Sequence, residues 1–184
     1  MARLKIARLG NPVLRLIAQP VNLKELSDPD GDLQVFIDDM VETMRTDGGV
    51  GLAAPQVSKS VQIVTLECEE NKRYPEAKGI PLTVLVNPRI TRYSDETALG
   101  WESCLSLIDF RGLVRRSREV TVTACNREGE KIVIEATGFL AIVLQHEIDH
   151  LNGKVFIDRM EDLTKLAYME EFETYWVEQE SPET

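Results

Sequence analysis

Cysteine is scarce in this chain. Cys68, Cys104 and Cys125 are the only three among 184 residues, and they form no recognisable disulfide framework. A reducing compartment is therefore expected, where a functional cysteine acts as a ligand or nucleophile rather than a crosslink. Long apolar runs are also missing. The longest, Gly138 to Leu144, falls far short of the roughly 20 residues that span a bilayer, so no membrane association is expected. There is no internal repeat, no low-complexity tract, no G-x-G-x-x-G loop and no Walker lysine, which argues against nucleotide binding. Residues 1–24 carry basic side chains without an acid. They lack the serine enrichment of a transit peptide and the apolar core of a secretory signal, and a cytoplasmic location is expected.

Histidine is scarcer still, with only two residues. Net charge is −10, which argues against direct nucleic-acid binding. The charge is uneven. Residues 161–184 hold eight acids against Lys165, and residues 111–118 hold Arg111, Arg115, Arg116 and Arg118 with no acid. The plain reading of each run is a solvated face.

With 43% hydrophobic residues, the chain can build a core, and its length suits one catalytic domain over 1–184. Leu33 to Thr46 has the spacing of an amphipathic helix, stopped by Gly48 and Gly49. A helix start is also expected at Asn11-Pro12. Val61 to Leu66 and Leu82 to Val86 read as strands. Val120 to Cys125 and Lys131 to Glu135 read as a hairpin closed by Asn126 to Gly129. Phe139 to Asn152 reads as a buried helix ending at Gly153. Leu166, Met169, Phe172 and Trp176 read as a final amphipathic helix, followed by an acidic tail. Strands in the middle and helices at either end predict an α+β fold.

Both histidines fall in His146-Glu147-Ile148-Asp149-His150. Positions i and i+4 share a helix face, so both imidazoles can bind one metal ion. Glu147 is then close enough to act as general base toward a water on the ion. A pair of buried, hydrogen-bonded histidines would give the same pattern. It would, however, leave an ionised Glu147 buried without a compensating cation. No histidine lies downstream to complete the ligand set. Upstream, Trp101-Glu102-Ser103-Cys104-Leu105-Ser106 offers Cys104, which would make an open Cys-His-His site; a small buried hydrophobe is the alternative for that residue. Gly49-Val50-Gly51-Leu52-Ala53-Ala54-Pro55-Gln56 would let backbone approach a ligand closely, with Gln56 donating to a developing oxyanion. A tight turn packed on the core would look the same.

These three segments, in this order, resemble the peptide deformylase family, and the likeness runs from about Leu9-Gly10-Asn11-Pro12 to Asp158-Arg159. The resemblance implies antiparallel sheets around a central metal-binding helix. It implies that Cys104, His146 and His150 hold one divalent ion, usually Fe2+, with Zn2+, Ni2+ or Co2+ also compatible. It assigns Glu147 as general acid/base, with Gln56 and the Leu105 N–H facing the formyl oxygen. Val50, Gly51, Glu102, Ser103 and Arg111 would contact the substrate, the N-formyl-methionyl end of a nascent chain, in transient association with the ribosome. Two departures stand out. Ser103 replaces the family's glycine, and Ile108-Asp109 replace its proline and frequent glycine. An HExxH endopeptidase, a deformylase-like enzyme with altered substrate preference, and a metal-stabilised binding module are the competing readings.

Overall fold

The computed structural model describes residues 2–68 and 79–177. The first helix, α1 (Asp32–Thr46), buries Leu33, Ile37, Met40, Val41 and Met44 along one stripe, as the spacing predicts. Its stop is local. Gly48 adopts φ +67°, a left-handed conformation that glycine reaches without a Cβ penalty. The Gly49 N–H then returns to the Met44 carbonyl at 2.9 Å.

Strand β1 (Gly51–Ala53) follows, then a 3-10 turn over Ala54–Val57 and strands β2 (Ile63–Cys68) and β3 (Ile80–Tyr93). The expected strand ended at Val86. β3 instead continues beyond a register shift between Val86 and Arg89. Asn87, at φ +53°, holds that bulge by accepting from the Val21 N–H at 2.8 Å and donating to the Val21 carbonyl at 2.9 Å. Strands β4 (Thr97–Glu102) and β5 (Phe110–Ser117) form a pair that the sequence reading missed. Strands β6 (Glu119–Cys125) and β7 (Lys131–Thr137) are the expected hairpin.

Helix α2 (Gly138–Leu151) is buried continuously from Val143 to Leu151, and it ends where Gly153 takes φ +69°. A Cβ on Gly153 would stand 2.6 Å from the Arg15 carbonyl oxygen, so the chain crosses there only with glycine. The C-terminal pattern is divided. Leu166 belongs to a short strand, β8 (Leu166–Tyr168), and only Met169–Tyr175 forms helix α3. The free edge of β5 explains this, since pairing with it satisfies backbone groups that a longer helix would leave to solvent. The expected helix at Asn11-Pro12 is likewise one 3-10 turn, Pro12–Arg15, after which Leu16 is extended. The acidic tail beyond residue 177 lies outside the described residues.

The strands make two antiparallel sheets, ordered β1-β2-β3-β6-β7 and β4-β5-β8. α2 packs on β1, β3, β6 and β7 of the first and β5 of the second, and it is the central helix that the resemblance implied. Among the described residues, no helix is long and apolar enough to cross a membrane.

Candidate active site

The 3.6-residue period of α2 stacks His146 and His150 on one face, with their Nε2 atoms 3.3 Å apart. Cys104 arrives from the other sheet. It lies two residues past the end of β4 and caps the 3-10 turn Leu105–Leu107, which brings its Sγ to 3.2 Å from His150 Nε2. The three donor atoms all lie within 4.8 Å of one another, and all three residues are buried. One thiolate and two imidazoles suit a divalent transition metal.

Charged side chains fix the orientation of His146. Glu102 Oε2 accepts from His146 Nδ1 at 2.8 Å, which leaves Nε2 facing the centre. Arg116 grips Glu102 in a fork, Nε to Oε1 at 2.7 Å and Nη2 to Oε2 at 3.0 Å. Its Nη1 donates to Asp149 Oδ2 at 2.5 Å, and Asp149 also accepts from Arg159 Nε at 3.0 Å. Glu102, Arg116 and Asp149 are all buried. Burial would raise the Glu102 carboxyl, but hydrogen bonds from His146 and Arg116 outweigh it and hold the group down at about 2. Burial would lower His146, yet its bonds to Cys104 and Glu102 raise it well above the usual range. The surroundings thus stabilise positive charge at this point, as a bound cation would supply. His150 is driven the other way by burial and by the neighbouring His146, toward the neutral form that ligates metal.

Glu147 is buried beside the donors, and its Oε2 has no hydrogen-bond partner among the described residues. Burial pushes its carboxyl up to about 7. Gly51 presses directly against it: a Cβ there would sit 2.7 Å from the Glu147 carboxyl carbon. Gln56 is pinned through Oε1, which accepts from the Ala53 N–H at 2.7 Å. Its amide nitrogen is thereby turned toward Cys104 Sγ, 3.4 Å away, and Ser106 Oγ, 3.5 Å away.

These groups open on a cavity of about 360 Å³. Val50, Gly51, Gln56, Glu102, Ser103, Cys104, Leu105, Arg111, His146 and Glu147 all line it. His150 alone of the expected set lies behind the wall, 1% exposed. The cavity's apolar side includes Phe139, Ile142 and Val143, which the sequence reading passed over. They precede His146 by seven, four and three residues, a spacing that already places them on its helix face. The arginine run is not one solvated face. Arg115 is exposed, whereas Arg111 and Arg116 are buried. Arg116, Asp149 and Arg159 escaped the sequence reading because their pairing joins distant segments.

A sequence model of the polypeptide deformylase family matches residues 3–166. Peptide deformylase 1 of Bordetella pertussis is 45% identical over 165 residues, 90% of this chain and 92% of that protein. Peptide deformylase 2 of Pseudomonas putida is 44% identical over the same shares. Among solved structures, a class I type b peptide deformylase from Acinetobacter baumannii superposes with a TM-score of 0.82 at 41% identity, covering 87% of this chain and 100% of that one. The same enzyme with Met-Ala-Ser bound gives a TM-score of 0.80 at 40% identity, covering 86% and 99%. On these grounds the chain belongs to the polypeptide deformylase family, metal-dependent hydrolases that remove the N-formyl group from N-terminal methionine.

Proposed function

We propose that Cys104, His146 and His150 hold the metal, that Glu147 moves the protons, and that Gln56 with the Leu105 N–H receives the developing oxyanion. The observation that carries this reading is Glu147 Oε2, without a partner among the described residues and buried beside three metal-type donors. When bound, the metal supplies Lewis acidity toward water and the formyl carbonyl. Glu147, poised near neutrality by burial, takes a proton from the attacking water and returns it to the departing amine, so formate and a free N-terminus leave together. Gln56 is pre-aimed by its bond from Ala53, and a donor fixed in advance stabilises negative charge without reorganising. The backbone of Val50, Gly51, Glu102 and Ser103 pairs with the peptide, and Arg111 lies at the substrate side.

Ferrous iron is the proposed native ion; zinc, nickel and cobalt also suit the donors. The proposed setting is one catalytic domain over 1–184, acting in the cytoplasm on nascent chains during transient ribosome contact. The test is anaerobic purification, metal analysis and formate release from formyl-Met-Ala-Ser. The parent should carry a divalent ion and release formate, and Cys104→Ala should lose both. A Cys104→Ala protein that kept stoichiometric metal would exclude the cysteine as a ligand.

A further inference from the structure

We infer that residues 7–9 form a positioning strap that sets the spacing between the Gln56 amide and the Leu105 N–H, the two donors aimed at the developing oxyanion. This rests on the proposed role of those two donors. They come from separate parts of the fold. Gln56 lies on the 3-10 turn after β1 and Leu105 on the turn after β4, and β1 and β4 belong to different sheets. Ala7 and Leu9 join the two turns. The Ala7 N–H donates to the Gln56 carbonyl at 2.7 Å, and the Leu9 N–H donates to the carbonyl of Ser106, next to Leu105, at 3.0 Å. Two residues of chain reach at most about 7 Å, so the strap holds the two carbonyls at a set separation.

The strap is anchored at both ends. Upstream, Leu4 and Ile6 pack against the core around α1, the Leu4 N–H donates to Thr43 Oγ1 at 2.8 Å, and Arg3 pairs with Asp47. Ala7 itself is buried. Downstream, the Asn11 N–H returns to the Arg8 carbonyl at 2.9 Å, with Gly10 at φ +101°, the form of a type II turn. The turn Pro12–Arg15 then buries Leu14 and packs on Ala54–Val57.

The spacing matters because both donors must meet at one oxygen. Each is already fixed within its own turn. The Gln56 side chain is held through Oε1, which accepts from the Ala53 N–H. The other turn is closed by the Leu107 N–H on the Cys104 carbonyl at 2.9 Å, so a shift of Ser106 carries Leu105 with it. The side-chain contact from Gln56 Nε2 to Ser106 Oγ is long, at 3.5 Å, whereas both strap bonds have ordinary lengths. Donors whose places are set before charge develops need no reorganisation when it does.

The turn supplies the test. A type II turn accepts proline at its second residue, here the exposed Leu9, so Leu9→Pro removes the donor to Ser106 and little else. On metal-loaded enzyme with formyl-Met-Ala-Ser, its kcat should fall about tenfold, part of the roughly hundredfold that a 1 Å misplacement costs. KM and metal content should stay within a factor of about two. Leu9→Ala keeps the N–H and should restore kcat to within the same factor. In a Gln56→Ala background, the added loss from Leu9→Pro should shrink to about threefold or less, because groups that act as a unit do not add. Should Leu9→Pro fail to fold, Gly10→Ala decides on the same readouts, since it strains the same turn where a Cβ meets nothing within 4 Å. A strap that only stabilises the fold would lower thermal stability and leave kcat of the folded enzyme unchanged, or give additive losses with Gln56→Ala. Either result would overturn the inference, as would a Leu9→Ala enzyme as slow as Leu9→Pro. Full activity in Gln56→Ala alone would instead remove the oxyanion reading, and this inference with it.

Discussion

An ionised carboxylate buried without a partner is costly, and proteins answer that cost by neutralising it or by giving it a cation. Glu147 meets this condition on α2, where burial has raised its carboxyl to about 7. Glu147→Ala should keep its metal, because the proposed ligands Cys104, His146 and His150 remain, and should lose about 100- to 10,000-fold in kcat. A loss of tenfold or less, with metal retained, would remove Glu147 from the proton-transfer role. This residue was legible in the sequence because a chain with two histidines had placed both around it. Arg116 was not. Its partners Glu102 and Asp149 lie 14 and 33 residues away, and no local pattern records a pairing of that range. Ser103, the departure nearest the chemistry, is exposed and lines the cavity.

Between elements, the decisive contact is β1 against α2. Gly51 brings the β1 backbone onto the Glu147 side chain with no space for a Cβ. Gly51→Ala should displace the carboxylate. A misplacement of about 1 Å costs on the order of a hundredfold in rate, so kcat should fall while metal content holds. Full activity in that variant would mean that Glu147 has room to shift without consequence. α1, α2 and the β6–β7 hairpin were readable because each buries one regular stripe or alternates cleanly. β4 and β5 were not, since β5 turns Arg111 and Arg116 inward and its apolar alternation is lost. Leu166 misled for another reason. Its helical spacing with Met169 and Phe172 is real, but the edge of β5 offered a better backbone partner.

Across the whole molecule, α2 packs on both sheets, and a chain of charges ties it to the β4–β5 pair. That chain runs from Glu102 at the end of β4, through Arg116 on β5, to Asp149 on α2 and Arg159 on the turn Phe156–Arg159. The Glu102–Arg116 and Arg116–Asp149 links are held away from water, and the chain reaches solvent at Arg159. Drawing β5 away from α2 would part the buried Arg116–Asp149 pair, and leaving one charge of such a pair buried alone costs about 3–5 kcal/mol. Partial opening is therefore disfavoured relative to complete unfolding. Amide protons on α2 from His146 to His150 should exchange with solvent only through global unfolding, at a free energy equal to that from denaturant titration. Exchange there at a markedly lower free energy would show that the sheets part while the rest of the fold stays intact. The charge chain then acts as a latch on timescale: substrate and product come and go through the cavity mouth on the scale of turnover, while the ligand face of α2 turns over its protons only as often as the protein itself unfolds.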